Sequence, residues 1–77
     1  MKKQYVVKVA LLIEELENGE WRKHTEIRGV QVGANNKLNA TLKAVQFYQD
    51  KENVEFVLDR DIVSSEIYSI VRCELVK

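Results

Sequence analysis

His24 and Cys73 are the only histidine and the only cysteine in a chain of 77 residues, so a thiol activated by an imidazole would have to be built from these two. Such a pair needs the base within hydrogen-bond reach of the nucleophile. His24 stands in a charged stretch, Arg22-Lys23-His24-Thr25-Glu26, whereas Cys73 alternates with Val71 and Leu75 and reads as a buried apolar residue. Neither position nor spacing supports the pair. Ser64 and Ser65 read as loop residues, and Asp59 and Asp61, with Glu55 nearby, fit a turn better than a site for a hard cation. Gly33, Asn35 and Asn36 precede a helix, whose first backbone N–H groups favour an anion such as a phosphate or nucleotide. Without GxGxxG or GxxxxGK, a turn glycine followed by an asparagine cap is the preferred reading. The chain is expected to be no enzyme, with no cofactor and no metal.

Charge is balanced, 12 basic against 12 acidic side chains, which removes the overall basic excess that drives nonspecific nucleic-acid or membrane binding. It is unevenly spread. Residues 21–49 carry Arg22, Lys23, Arg28, Lys37 and Lys43 against Glu26, and residues 50–66 carry six carboxylates against Lys51 and Arg60. With 45% hydrophobic and 31% charged residues the composition is that of a folded globular protein. Residues 1–77 are read as one domain, whose core at this length is marginal enough for help from a partner chain to matter. A single cysteine excludes an internal disulfide and fits a reducing, cytoplasmic setting. Lys8 interrupts the apolar run after the basic start and Glu14-Glu15-Leu16-Glu17 follows it, so no signal peptide is expected. The longest apolar run, residues 9–13, is too short to span a bilayer.

The elements that would position these groups follow from periodicity. Tyr5, Val7, Val9, Leu11 and Ile13 alternate as one buried face of a strand. Asn18-Gly19 then turns the chain. A two-residue type I′ loop would set Leu11 against Glu26 and Leu16 against Trp21; a three-residue loop with Gly19 as a bulge sets Leu11 against Thr25 and brings Trp21 to the core face. The second register is preferred because it keeps charges off the apolar face. Gly29 suggests a bulge or a close approach. Leu38, Leu42, Val45 and Gln49 share one arc of a helix over residues 36–51, expected to pack on the sheet. Val54, Phe56 and Leu58 alternate as a third strand, residues 59–61 turn, and residues 67–76 form a fourth. The expected fold is α+β: β-β-α-β-β, a four-stranded antiparallel sheet in the order 2-1-3-4 with one helix on one face.

On that fold the open face of the sheet gathers Val6, Ala10, Leu12, Val30, Val57, Tyr68, Ile70 and Val76, with Lys8, Glu14, Arg22, Arg28, Arg72 and Glu74 around them. An apolar centre with a charged rim suits a protein interface. The last strand, rich in β-branched and aromatic residues, is a second candidate as an edge that can pair with its own copy or another protein. Phe47, set away from the leucine arc, is either a partner anchor or folds over the sheet edge with Ala40 and Ala44. The partner residues expected are therefore Val6, Leu12, Val57, Tyr68, Ile70, Arg72 and Phe47, and the partner is a second copy, another protein, or both. The alternative is nucleic acid on Arg22, Lys23, Arg28, Lys37 and Lys43, with Trp21 or Tyr68 stacking on bases. The resulting picture is a cytoplasmic binding module, an inhibitor or accessory factor of the kind phages and mobile elements encode, with no membrane contact.

Overall fold

The computed structural model describes residues 2–77 as three antiparallel strands and two helices. Strand β1 (Lys3–Glu17) and strand β2 (Glu20–Ala34) form a hairpin, helices α1 (Lys37–Gln49) and α2 (Lys51–Leu58) follow, and strand β3 (Ser64–Leu75) returns beside β1. The sheet order is β2-β1-β3. The domain remains α+β, but the four-stranded sheet under one helix is incorrect: the segment expected as a third strand is α2. A strand rises about 3.3 Å per residue, so strands of this length set the long dimension of the molecule, 49 Å against 19 and 17 Å.

Asn18 and Gly19 both lie in the left-handed region, at φ 52° and 80°. That is the requirement of a type I′ turn, and Glu17 pairs directly with Glu20. The three-residue loop is therefore incorrect. Leu11 faces Glu26, Leu12 faces Thr25 and Leu16 faces Trp21, and Gly29 sits in an unbroken ladder opposite Lys8. The irregularities fall on β3 instead, where Val71 and Tyr68 have no partner on β1. These two bulges bend the strand and leave both extra residues exposed.

Asn36 caps α1, its Oδ1 accepting the Asn39 N–H at 2.8 Å. The face that α1 turns to the sheet is Ala40, Ala44 and Tyr48, one residue per turn. Two methyl groups let the helix backbone approach the strands closely. Leu38 and Leu42, expected in the core, stay 69% and 52% exposed. Asp50 then breaks the helix with extended backbone (φ −83°, ψ 116°) and caps α2 by accepting the Glu52 N–H. In α2, Val54 and Leu58 are buried and Lys51 pairs with Glu55 one turn on; Asp59, left-handed at φ 53°, donates its N–H to the Glu55 carbonyl and ends the helix. Phe56 faces solvent and Val57 lies on this helix, not on the sheet.

The core is the odd face of β1, Tyr5 to Ile13, roofed by Ala40, Ala44, Tyr48, Val54, Leu58 and Ile62 and flanked by Val30, Val32, Ile67 and Cys73. Val30 thus belongs to the helix-covered face, as does Ile70, which pairs with Val9. Phe47 folds down, half-buried, with its ring edge-on to Tyr48 at 5.0 Å.

Candidate functional site

β1 is the central strand and β2 and β3 each pair with it alone, so among the described residues β3 has one edge with no strand beside it. Beside that edge, α1 and β3 frame a cleft lined by Val45, Tyr48 and Gln49 from the helix and by Ser65, Glu66, Ile67, Ser69 and Ile70 from the strand. Val45 belongs to the helical arc that continues through Leu42 and Leu38, and both leucines are exposed. The strand contributes Tyr68 at 72% exposure, with Ile70, Val71 and Leu75 also open to solvent. Leu42 itself lines a separate cleft with Ala34, Asn39 and Lys43, so the apolar surface at the unpaired edge is that of Val45 and the β3 residues. Of the expected partner residues, Tyr68, Ile70 and Arg72 lie on this strand; Val57 and Phe47 are elsewhere, and neither reaches the open face.

The open face is divided. Its hairpin half holds Leu12, Leu16, Trp21 and Ile27, with Trp21 directly opposite Leu16 and fully on the solvent side. Its other half is Lys8, Gly29, Gln31, Arg72 and Glu74 around a half-buried Val6. Trp21, expected in the core, is the residue that the corrected register moves outward. Its neighbour set, and not its hydrophobicity, decided that.

The charges expected off the core face lie on it, at its margin. Glu26 on β2 accepts from Arg28 Nη2 at 2.7 Å, contacts His24 Nε2 at 2.9 Å, and is paired with Arg60 from the loop after α2. Arg60 also reaches Glu15 at 2.9 Å, so one loop side chain ties both hairpin strands together. Arg22 pairs with Glu17. The basic set is thereby dispersed: Arg22 and Arg28 have carboxylate partners, Lys43 donates to the Gly33 carbonyl, and Lys23 projects from the opposite face beside Glu14. The hairpin tip itself carries Glu14, Glu15, Glu17 and Glu20 against Arg22 and Lys23. Among the described residues these basic side chains do not line up in one track: Arg22 and Arg28 pair with carboxylates, and Lys23 lies on the other face.

His24 lies next to Ile13 on one side of β1 and Cys73 next to Val7 on the other, which separates the imidazole from the thiol. Gly33 and Asn36 are occupied by the Lys43 contact and the helix cap. Among the described residues no cluster of three His, Cys, Asp or Glu side chains is placed to hold a metal ion, and no helix is long and apolar enough to cross a membrane.

Among the described residues two buried polar atoms, Tyr48 Oη and Arg28 Nε, have no hydrogen-bond partner. Burial pushes the Tyr48 phenol above its ordinary pKa, opposed in part by the Arg28 charge. A raised folded-state pKa means that the folded chain holds this proton more tightly than the unfolded chain. The associated stability is complete below about pH 10 and is lost as pH rises through the shifted value. Tyr48→Phe is therefore expected to be as stable as the wild type at neutral pH, or more stable by up to about 1 kcal/mol. Melting temperatures at neutral pH and above pH 10 check it: the variant should lose less stability on going alkaline.

No family model, curated protein or solved structure matches the chain.

Proposed function

We propose that this chain is a small protein-binding module that self-associates, working as an accessory or inhibitory factor in the cytoplasm by covering a partner's surface. One observation carries the reading: α1 turns two alanines to the sheet and leaves Leu38 and Leu42 on the solvent side, in the same arc as the Val45 that lines the β3 cleft. Burying an exposed leucine contributes about 2 kcal/mol. A sequence that places leucines outside and alanines inside gains that energy only when something covers them.

Molar mass by light scattering across a wide concentration range tests the proposal, on the wild type, Ile70→Lys and Leu42→Lys. The expected result is a wild-type dimer that either substitution splits into folded monomers. A wild-type monomer at all concentrations would overturn self-association.

The open-face patch of Leu16, Trp21 and Ile27 favours a second, heterologous protein contact on the same molecule. Aromatic anchors of this kind dominate many interfaces, and the β3 edge can be occupied while this patch remains free.

A further inference from the structure

The middle of β3 reads Glu66-Ile67-Tyr68-Ser69-Ile70-Val71-Arg72. About Ser69 this stretch is self-complementary: an aliphatic or aromatic residue answers each apolar residue, and a carboxylate at one end answers a guanidinium at the other. We infer that a second copy of the chain pairs antiparallel along β3 with Ser69 at the two-fold axis, setting Glu66 of each copy opposite Arg72 of the other. This deepens the self-association proposed above and rests on it.

Face and charge select this register. Antiparallel strands put directly opposed residues on the same face of a sheet. Glu66, Ser69 and Arg72 pair with Leu12, Ala10 and Lys8 of the even face of β1, and Glu66 and Ser69 also reach the strand edge at the rim of the α1 cleft. Ser65 and Cys73, which would oppose each other next, pair with Ile13 and Val7 on the helix-covered face. The residues without partners on β1, Tyr68 and Val71, come opposite Ile70 and Ile67 of the second copy, beside the cleft that Val45 and Gln49 line. A register centred on Ile70 would instead oppose Glu66 and Glu74, and one centred on Cys73 would pair only residues 71–75.

The free ends are chemically available. Glu66 makes no ion pair among the described residues, and Arg72 holds only an exposed contact to Glu74 at 3.1 Å on its own strand. Such surface pairs are weak and exchange readily. On the β1 side Arg72 faces Lys8, a like charge, so a carboxylate arriving from the outer side is favoured. The two-fold axis stands perpendicular to the sheet. It joins the two sheets in the order β2-β1-β3-β3-β1-β2 and puts both α1 helices on the same face of the joined sheet, one to each side of the seam.

Charge reversal tests the register. Glu66→Arg and Arg72→Glu are each expected to weaken the dimer by about tenfold to a hundredfold, because each sets like charges opposite twice per dimer, and the double variant should recover to within a few-fold of wild type. Circular dichroism checks that each variant is folded. Independently, Ser69→Cys in a Cys73→Ser background should form an intermolecular disulfide under mild oxidation, since residues opposed at the axis have Cα atoms about 4.5–5.5 Å apart, within disulfide range. A wild-type dimer that ignores charge reversal and fails to cross-link at position 69 overturns this register and leaves self-association standing. A wild-type monomer at every concentration overturns both.

Discussion

Leu11→Ala is expected to destabilise the protein by about 3 kcal/mol, while Leu42→Ala, measured at a concentration where the chain is monomeric, changes stability by no more than about 0.5 kcal/mol. Leu11 is fully buried at the middle of the central strand, between Glu26 and Ile67 on its neighbours and beneath the helix layer. Its removal takes away transfer energy and leaves a cavity walled by two strands that cannot collapse independently. For a chain of this length total stability is on the order of 4 to 12 kcal/mol, so the loss is a large share of it. Leu42 has half its surface in water already. Urea unfolding followed by circular dichroism gives both numbers. The reverse order, a costly Leu42 and a tolerant Leu11, would mean that α1 is rotated to put its leucines on the sheet.

That contrast marks where the sequence could and could not be read. The period-2 alternation of Tyr5 to Ile13 identified the central strand and its buried face, because five apolar residues at alternate positions have no other economical arrangement. The helix beginning at the asparagine pair was legible through its cap. Which face of that helix packs was not: hydrophobicity points to Leu38 and Leu42, whereas the separation between helix and sheet is set by backbone approach, which favours Ala40 and Ala44. The segment from Val54 to Leu58 satisfies two periods at once. Alternation suggests a strand, but Val54 and Leu58 are also one helical turn apart, and the Asp50 cap and the Lys51–Glu55 pair decide for the helix.

The hairpin register failed for a more instructive reason. Asn18-Gly19 carries the type I′ signal plainly, but binary patterning argues against that loop because it places Leu11 beside Glu26 and Ile13 beside His24. What makes that juxtaposition tolerable is Arg60, which is remote in sequence and enters from the loop after α2. Local patterning cannot announce a counter-charge delivered by tertiary structure. The candidate interface is partly legible: the β-rich tail points to Tyr68, Ile70 and Arg72, whereas the helical periodicity of Leu38 and Leu42 points to the core and not to the surface they occupy.

The second large effect is expected at the counter-charge itself. Glu26→Ala and Arg60→Ala should each lower stability by about 2 kcal/mol, between the value of an exposed ion pair and that of a buried one. The two carboxylates are mostly shielded, with side-chain exposures of 14% for Glu15 and 18% for Glu26, but both arginines keep more than a third of their surface in water, so solvent screening holds the cost below the fully buried case. Removing Glu26 deprives Arg28, whose Nε is already unpartnered, of its salt bridge, and frees one end of Arg60. Removing Arg60 leaves Glu26 with Arg28 but Glu15 with only the His24 imidazole nearby, and unfastens residues 59–63 from the hairpin. Because these residues share one network, the double variant should fall short of the sum of the singles by about 1 kcal/mol or more. Hydrogen exchange supplies the local readout: the Val63 N–H, which donates to the Glu14 carbonyl at 2.9 Å, should exchange faster in Arg60→Ala while amides in the middle of β1 hardly change. Equal acceleration throughout the sheet would mean that Arg60 supports the whole fold and not the loop, and additive single effects would mean that the cluster is a set of separate surface pairs.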